Sequence, residues 1–195
     1  MQFPLELRFK VPAISPQIRV QDAAGQLLYY VKQKAFKLRE AITIFADEAQ
    51  TSPRFRIAAD RILDVSASYH IEDQHGRPIG TVRRRGMRSL WKAHYEIDRD
   101  GTRALEIQEE NPWLKVVDGL IGEIPVVGLL TGYFLHPAYI VSSAASSDGV
   151  LRVEKRPALF EGRYRIERLA PTDDATTELA LLGILMMVLL ERNRG

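Results

Sequence analysis

The chain has 195 residues, 46% of them hydrophobic and 27% charged, with a formal net charge of +2. That balance excludes a disordered or fibrous chain, and the length suits one sizeable core, read as a single domain over residues 1–195. The absence of cysteine excludes disulfide frameworks, thiolate nucleophiles and Cys-based metal sites and agrees with a reducing, cytoplasmic compartment, while the small net charge leaves any anionic partner to local clustering.

The first residues, MQFPLELRFKV, alternate apolar and polar without a continuous apolar stretch after a basic start. They read as a first strand rather than a signal peptide. Ile18 and Val20 lead into the turn Asp22–Gly25, and Leu27, Tyr29 and Val31 follow, a hairpin with an Asp-x-x-Gly turn. Next comes VKQKAFKLR, in which Lys32, Lys34, Lys37 and Arg39 form a basic group. Lys32 and Lys34 fall on one outer face of a strand, and protection of that strand against edge pairing explains them as well as a binding role does. AITIFAD, RFRIAAD and RILDVSASYHI alternate like strands, and Tyr69, Ile71, Asp73, Gly76, Ile79 and Val82 repeat the first hairpin with the same turn spacing.

The densest charge cluster follows in VRRRGMRSLWK, where Arg83, Arg84, Arg85, Arg88 and Lys92 stand beside Trp91 on a predicted hairpin. Guanidinium forks suit phosphates, and an adjacent Trp suits a lipid interface; the plainer reading is a solvated strand end and turn. A third hairpin runs through Tyr95, Ile97, Asp100, Gly101, Leu105 and Ile107. Asp98, Asp100 and Gly101 resemble the start of a calcium loop but lack the third acidic position and the terminal Glu, so a hairpin turn explains them better. Glu106, Glu109, Glu110 and Glu161 offer carboxylates, and spacing alone does not decide whether any two face each other.

From Gly119 to Pro137 the chain is long, apolar and broken by Gly and Pro. It reads either as a core crossover covering one barrel end or as a membrane or oligomer contact, with Glu123, Pro125 and the glycines arguing against a spanning helix. A looser fourth hairpin uses Tyr139, Val141, Asp148, Gly149, Leu151 and Val153, with SSAASSD as its flexible loop. His70, His75, His94 and His136 show no metal-ligand spacing, although His70 and His94 are candidates for neighbouring strands. No phosphate-cradling Gly-rich loop or nucleophile elbow is present, so no catalytic residue, metal or cofactor is expected.

From Leu179 to Leu190 every residue is apolar or Gly. Such a segment has no polar face and must be enclosed, yet it is shorter than the roughly 20 residues a bilayer requires. Pro171, Thr172, Asp173 and Asp174 supply start and N-cap chemistry, and Arg192 and Arg194 suit the negative end of a helix dipole, which predicts a central helix over 173–192. Gly183 in its middle costs about 1 kcal/mol against Ala and marks a close approach to a strand. Roughly ten to twelve short strands with short turns bury one face each by closing on themselves. The expected fold is mainly β: a closed antiparallel β-barrel of about 12 strands over residues 1–170, enclosing the hydrophobic C-terminal α-helix.

That combination, with the stretch from Tyr29 to Arg84 (YYVKQKAFKLREAITIFADEAQTSPRFRIAADRILDVSASYHIEDQHGRPIGTVRR), resembles the LURP-one-related and phospholipid-scramblase-like branch of the Tubby C-terminal-like superfamily. The likeness rests on the order of elements: a Lys-rich strand, two paired strands, an Asp-x-x-Gly hairpin, a basic strand, a second hairpin and a terminal apolar helix. It implies a twelve-stranded barrel around a central helix. Members with a known role mostly bind phosphoinositides, tether to membranes or associate with transbilayer lipid movement. The chain lacks the Pro-rich region and palmitoylatable Cys cluster of animal scramblases and shows no phosphoinositide pattern of Tubby proteins, so no lipid-binding residue is carried over. The resulting expectation is a non-enzymatic module, cytoplasmic and peripheral at the membrane, that binds anionic phospholipid headgroups or a protein partner, with Arg83, Arg84, Arg85, Arg88, Trp91 and Lys92 as the phosphate-binding group. The alternative is a protein-interaction or regulatory scaffold that self-associates through residues 119–137. Nucleic acid is not an expected partner, and an enzyme would need two titratable groups converging in a pocket.

Overall fold

The computed structural model describes residues 1–10, 17–32, 41–60, 67–85, 94–110, 137–158 and 161–192. Twelve antiparallel strands close into a barrel in which each strand pairs with its neighbours in sequence and β1 pairs with β12. They are β1 (Leu5–Lys10), β2 (Gln17–Gln21), β3 (Leu27–Lys32), β4 (Ile42–Phe45), β5 (Pro53–Ala59), β6 (Ser68–Asp73), β7 (Pro78–Arg84), β8 (His94–Arg99), β9 (Thr102–Glu109), β10 (Ala138–Ser143), β11 (Gly149–Arg156) and β12 (Glu161–Arg168). Closure leaves no sheet edge open to another chain. The single described helix, α1 (Asp174–Arg192), threads the lumen, as the sequence leads one to expect.

Alternation decides which face each residue takes. Leu5, Leu7 and Phe9 of β1, Ile18 and Val20 of β2, Ile42 and Ile44 of β4, and Tyr95 and Ile97 of β8 all point inward and are buried. The charged residues between them point outward, so the wall carries cross-strand ion pairs such as Arg56–Glu72 and Arg163–Glu6. Inward side chains meet α1, whose residues from Leu179 to Leu189 are all buried. Each large apolar side chain enclosed this way contributes roughly 1.5–3 kcal/mol, which makes helix and barrel inseparable as folding units.

The Asp-x-x-Gly turns work as their composition suggests. Asp22 Oδ1 accepts from the backbone N–H of Ala24 and of Gln26, each at 3.0 Å, and Gly25 takes φ 79°. Asp73 Oδ1 accepts from His75 N and Arg77 N at 2.8 and 2.9 Å, with Gly76 at φ 76°. Burial pushes both carboxyls upward, but these donors outweigh it and hold them below their usual range. The third hairpin is tighter: Asp100 and Gly101 alone join β8 to β9 and both have positive φ, 51° and 74°, the geometry that matches strand twist. Asp100 therefore serves a turn and not a calcium loop.

Two glycines set how closely α1 lies against the wall. A Cβ on Gly183 would collide with Ile97 Cδ1, and one on Gly80 would lie 2.7 Å from the Asp98 carbonyl oxygen and 2.8 Å from Leu179 Cδ1. The helix starts on Asp173, whose Oδ1 accepts from Thr176 N at 2.8 Å.

Candidate functional site: the two ends of the barrel

Because each strand reverses the last, all connections fall at one end or the other. The turns between β2 and β3, β4 and β5, β6 and β7, β8 and β9, and β10 and β11 share one end with the lead into α1. That end is acidic: its connecting residues include Asp22, Asp47, Glu48, Asp100, Asp148 and Asp173, with Arg77 as the basic exception. At the opposite end the strand ends bracket segments 33–40, 86–93 and 111–136, together with three shorter connections. Segments 33–40 and 86–93 hold five basic residues against one acidic residue, Glu40; 111–136, which contains nearly all of the long apolar stretch, holds Lys115 against Asp118 and Glu123, and 61–66 holds Arg61 against Asp64. Lys34, Lys37, Arg39, Arg88, Trp91, Lys92 and His136 lie outside the described residues, as does Gly119 to His136, so neither reading of the 119–137 segment is tested.

The structure separates the three consecutive arginines of the predicted cluster. Strand alternation turns Arg83 and Arg85 outward, where Arg83 pairs with Asp98 and Arg85 with Glu96 at 3.5 Å. Glu96 also receives Arg103 at 2.6 Å. Arg84 takes the inward face, is largely covered, and lies over the Tyr95 ring at 5.9 Å with Nη2 3.8 Å from Glu191. A phosphate approaching from outside thus meets Arg83 and Arg85 beside carboxylates, while Arg84 belongs to the lumen.

Arg84 is one part of a polar group at the basic end that sequence reasoning missed. Glu191, near the end of α1, accepts from Tyr95 O–H at 2.5 Å. Burial pushes Tyr95 well above the ordinary phenol range, and the neighbouring Glu191 charge adds to the shift. Tyr139 and Tyr164 are raised by the same two causes in the same order. The acidic end has a counterpart: Tyr29 O–H donates to Glu178 Oε1 at 3.0 Å, and Arg54 reaches the same oxygen at 3.3 Å. The only sequence signal was a Glu at each end of the apolar helix, Glu178 and Glu191, which by itself names no partner.

The other candidates disperse. His70 lies on β6 and His94 on β8, so β7 stands between them and they are not on neighbouring strands. His70 Nδ1 contacts Thr81 Oγ1, His94 faces Glu106 at 3.3 Å, and His75 sits in an exposed turn beside Gln74. Among the described residues, no group of three or more His, Asp or Glu side chains is placed to hold a metal ion. Glu106 points outward to Arg103 and Gln108, Glu110 pairs with Arg152, and Glu109 is buried. Lys32 is exposed at the end of β3. Among the described residues, no helix is long and apolar enough to cross a membrane.

Residues 27–120 match the family model of LURP-one-related proteins. Among solved structures, the X-ray structure of a protein from Arabidopsis thaliana is similar at a TM-score of 0.50, with 14% sequence identity over 98% of this chain and 92% of that one. At that identity the likeness concerns the fold alone. No curated protein matches the sequence.

Proposed function

Residues 27–120 match the LURP-one-related family model, and from that premise we propose that the chain is a non-enzymatic module of that family that attaches to anionic membrane surfaces with the basic end of its barrel. The observation that carries this reading is the segregation of the two ends. One end gathers tight acidic turns. The other brackets the segments richest in Lys, Arg, Trp and long apolar runs, and both kinds of residue favour an anionic bilayer interface.

A barrel oriented this way points its acidic turns away from a negative surface, so the orientation lowers repulsion while it raises attraction. Each basic residue held near such a surface contributes about 1 kcal/mol, which makes attachment a sum over several residues and sensitive to salt. In this reading Arg85 and Lys32 form the described margin of the contact, and Arg88, Trp91 and Lys92 extend it. The setting is the cytoplasmic face of a membrane.

Co-sedimentation with neutral, phosphatidylserine and phosphoinositide vesicles across a salt series tests the proposal. Attachment to anionic vesicles that fades as salt rises, and that weakens in a Lys34→Gln/Lys37→Gln/Arg88→Gln/Lys92→Gln variant, is expected. Absence of attachment at low salt overturns it and moves the weight to a protein-interaction scaffold.

A further inference from the structure

We propose a second anion site on the barrel wall: Arg8, Arg156 and Arg163, within a row of four facing arginines, bind a run of phosphates laid across the strands. Arg156 of β11 stands opposite Arg163 of β12, Arg163 opposite Arg8 of β1, and Arg8 opposite Arg19 of β2. Three successive cross-strand pairs thus place like charge against like charge, an arrangement that costs stability where opposite charges would contribute it. With strands about 4.8 Å apart, the row spans roughly 14 Å perpendicular to the strand direction.

The neighbouring positions behave differently. One step along the strands, Glu154, Arg165 and Glu6 alternate in sign, and elsewhere Arg56 faces Glu72, Asp98 faces Arg103 and Arg83 faces Glu96. Glu96 does face Glu106, but Arg103 bonds to both. In the arginine row Arg19 is held at Nε and Nη2 by Glu48, each at 2.7 Å, whereas the carboxylates of the other three are shared: Glu6 bonds to Arg8 at 2.9 Å and to Arg163 at 2.8 Å, and Glu154 to Arg156 at 3.3 Å and to Arg152, outside the row, at 2.8 Å.

Shape and access fit a ligand. Arg8, Arg156, Arg163 and Arg165 line a groove of about 630 Å³, and the side chains of Arg8, Arg156 and Arg163 remain 43%, 42% and 41% exposed. Guanidinium forks bind phosphate oxygens in pairs, which a carboxylate shared between two arginines competes with poorly. The ligand chemistry is therefore several phosphates held a few ångströms apart, supplied either by a soluble polyphosphate or by a multiply phosphorylated lipid headgroup. The row lies on the outer wall toward the basic end, where Arg156 is the last residue of β11, and its binding of a soluble polyphosphate is tested separately from attachment of that end to a membrane.

Binding of labelled inorganic polyphosphate in solution, and of phosphoinositide vesicles by sedimentation, should be measured for the wild type, Arg8→Gln/Arg163→Gln, and the charge-matched control Arg56→Gln/Arg77→Gln, on β5 and in the β6–β7 turn across the barrel. The row variant should lose about tenfold or more in affinity for at least one probe while the control retains it, and the salt slope should shrink only in the row variant. The probe affected identifies the source of the phosphates. No binding of either probe by the wild type, or equal loss in both variants, overturns the proposal; coincident melting curves for the two variants rule out misfolding. A wild type that binds polyphosphate but no vesicles leaves the row intact and removes only the membrane reading.

Discussion

Tyr95 and Glu191 join the barrel wall to the end of its helix: the phenol is fully buried, and its O–H is donated to a carboxylate that still keeps a quarter of its side-chain surface in solvent. Tyr29 and Glu178 do the same at the other end at 3.0 Å. Between them α1 presents only apolar surface, which fixes neither its depth nor its rotation strongly. The two Tyr–Glu bonds do, because an unpaired carboxylate or phenol at those depths costs more than a lost surface contact.

Tyr95→Phe should therefore lower stability by about 1.5–3 kcal/mol, the range for a hydrogen bond to a charged group. A double-mutant cycle with Glu191→Ala should return a coupling above about 1 kcal/mol, whereas the same cycle on the wall pair Arg165–Glu167 should stay below about 1 kcal/mol because both partners are solvated. Equal couplings in chemical denaturation would remove the anchoring role.

Alkaline pH should loosen the fold earlier than carboxylate or lysine chemistry alone predicts. Burial, ahead of neighbouring carboxylates, raises Tyr29, Tyr95 and Tyr139 above the ordinary phenol value, so the folded state holds these protons more tightly than the unfolded state. Their contribution is complete below about pH 10, the unfolded value, and falls as pH rises toward the folded ones, by up to about 1.4 kcal/mol per group and pH unit. Urea unfolding followed from pH 9 upward should show this decline, and Tyr29→Phe/Tyr95→Phe should flatten it.

Gly80→Ala should cost more than Gly183→Ala, and helix propensity adds to the difference by favouring the second change by about 1 kcal/mol. The new methyl at 183 meets the end of the Ile97 side chain, which has a rotamer to yield, while at 80 it meets the Asp98 backbone carbonyl, which has none. Overpacking of about 1–3 kcal/mol is expected at 183, and Ile97→Val should recover part of it in thermal melts. The same rescue at Gly80 should fail.

Leu182→Asp and Leu185→Asp should each prevent folding. Both side chains are fully enclosed, and a carboxylate there has no described partner within the apolar lumen. Normal soluble expression of either variant with an unchanged melting curve would exclude the helix-in-barrel arrangement.

Local rules made the fold legible. Period-two alternation marked strands wherever one face is buried, Asp-x-x-Gly marked turns because side-chain acceptors and positive φ are needed there, and twelve uninterrupted apolar or Gly residues from Leu179 to Leu190 required a lumen. The candidate site was less legible, since charge runs in sequence are divided by geometry. Arg83, Arg84 and Arg85 are adjacent along the chain, yet Arg84 enters the lumen while its neighbours pair outside. Adjacent strand residues must face opposite ways, so a basic tripeptide cannot become a single outward patch.

What the sequence by itself determined is therefore the set of local elements and the enclosure of α1, both of which depend on spacing along the chain. Tertiary structure alone decided which distant residues meet. Arg8, Arg19, Arg156 and Arg163 are scattered over most of the sequence, and register across a closed meander brings them into one row. Glu191 finds Tyr95, and acidic turns gather at one end, for the same reason: strand pairing and barrel closure are long-range constraints that no local pattern encodes.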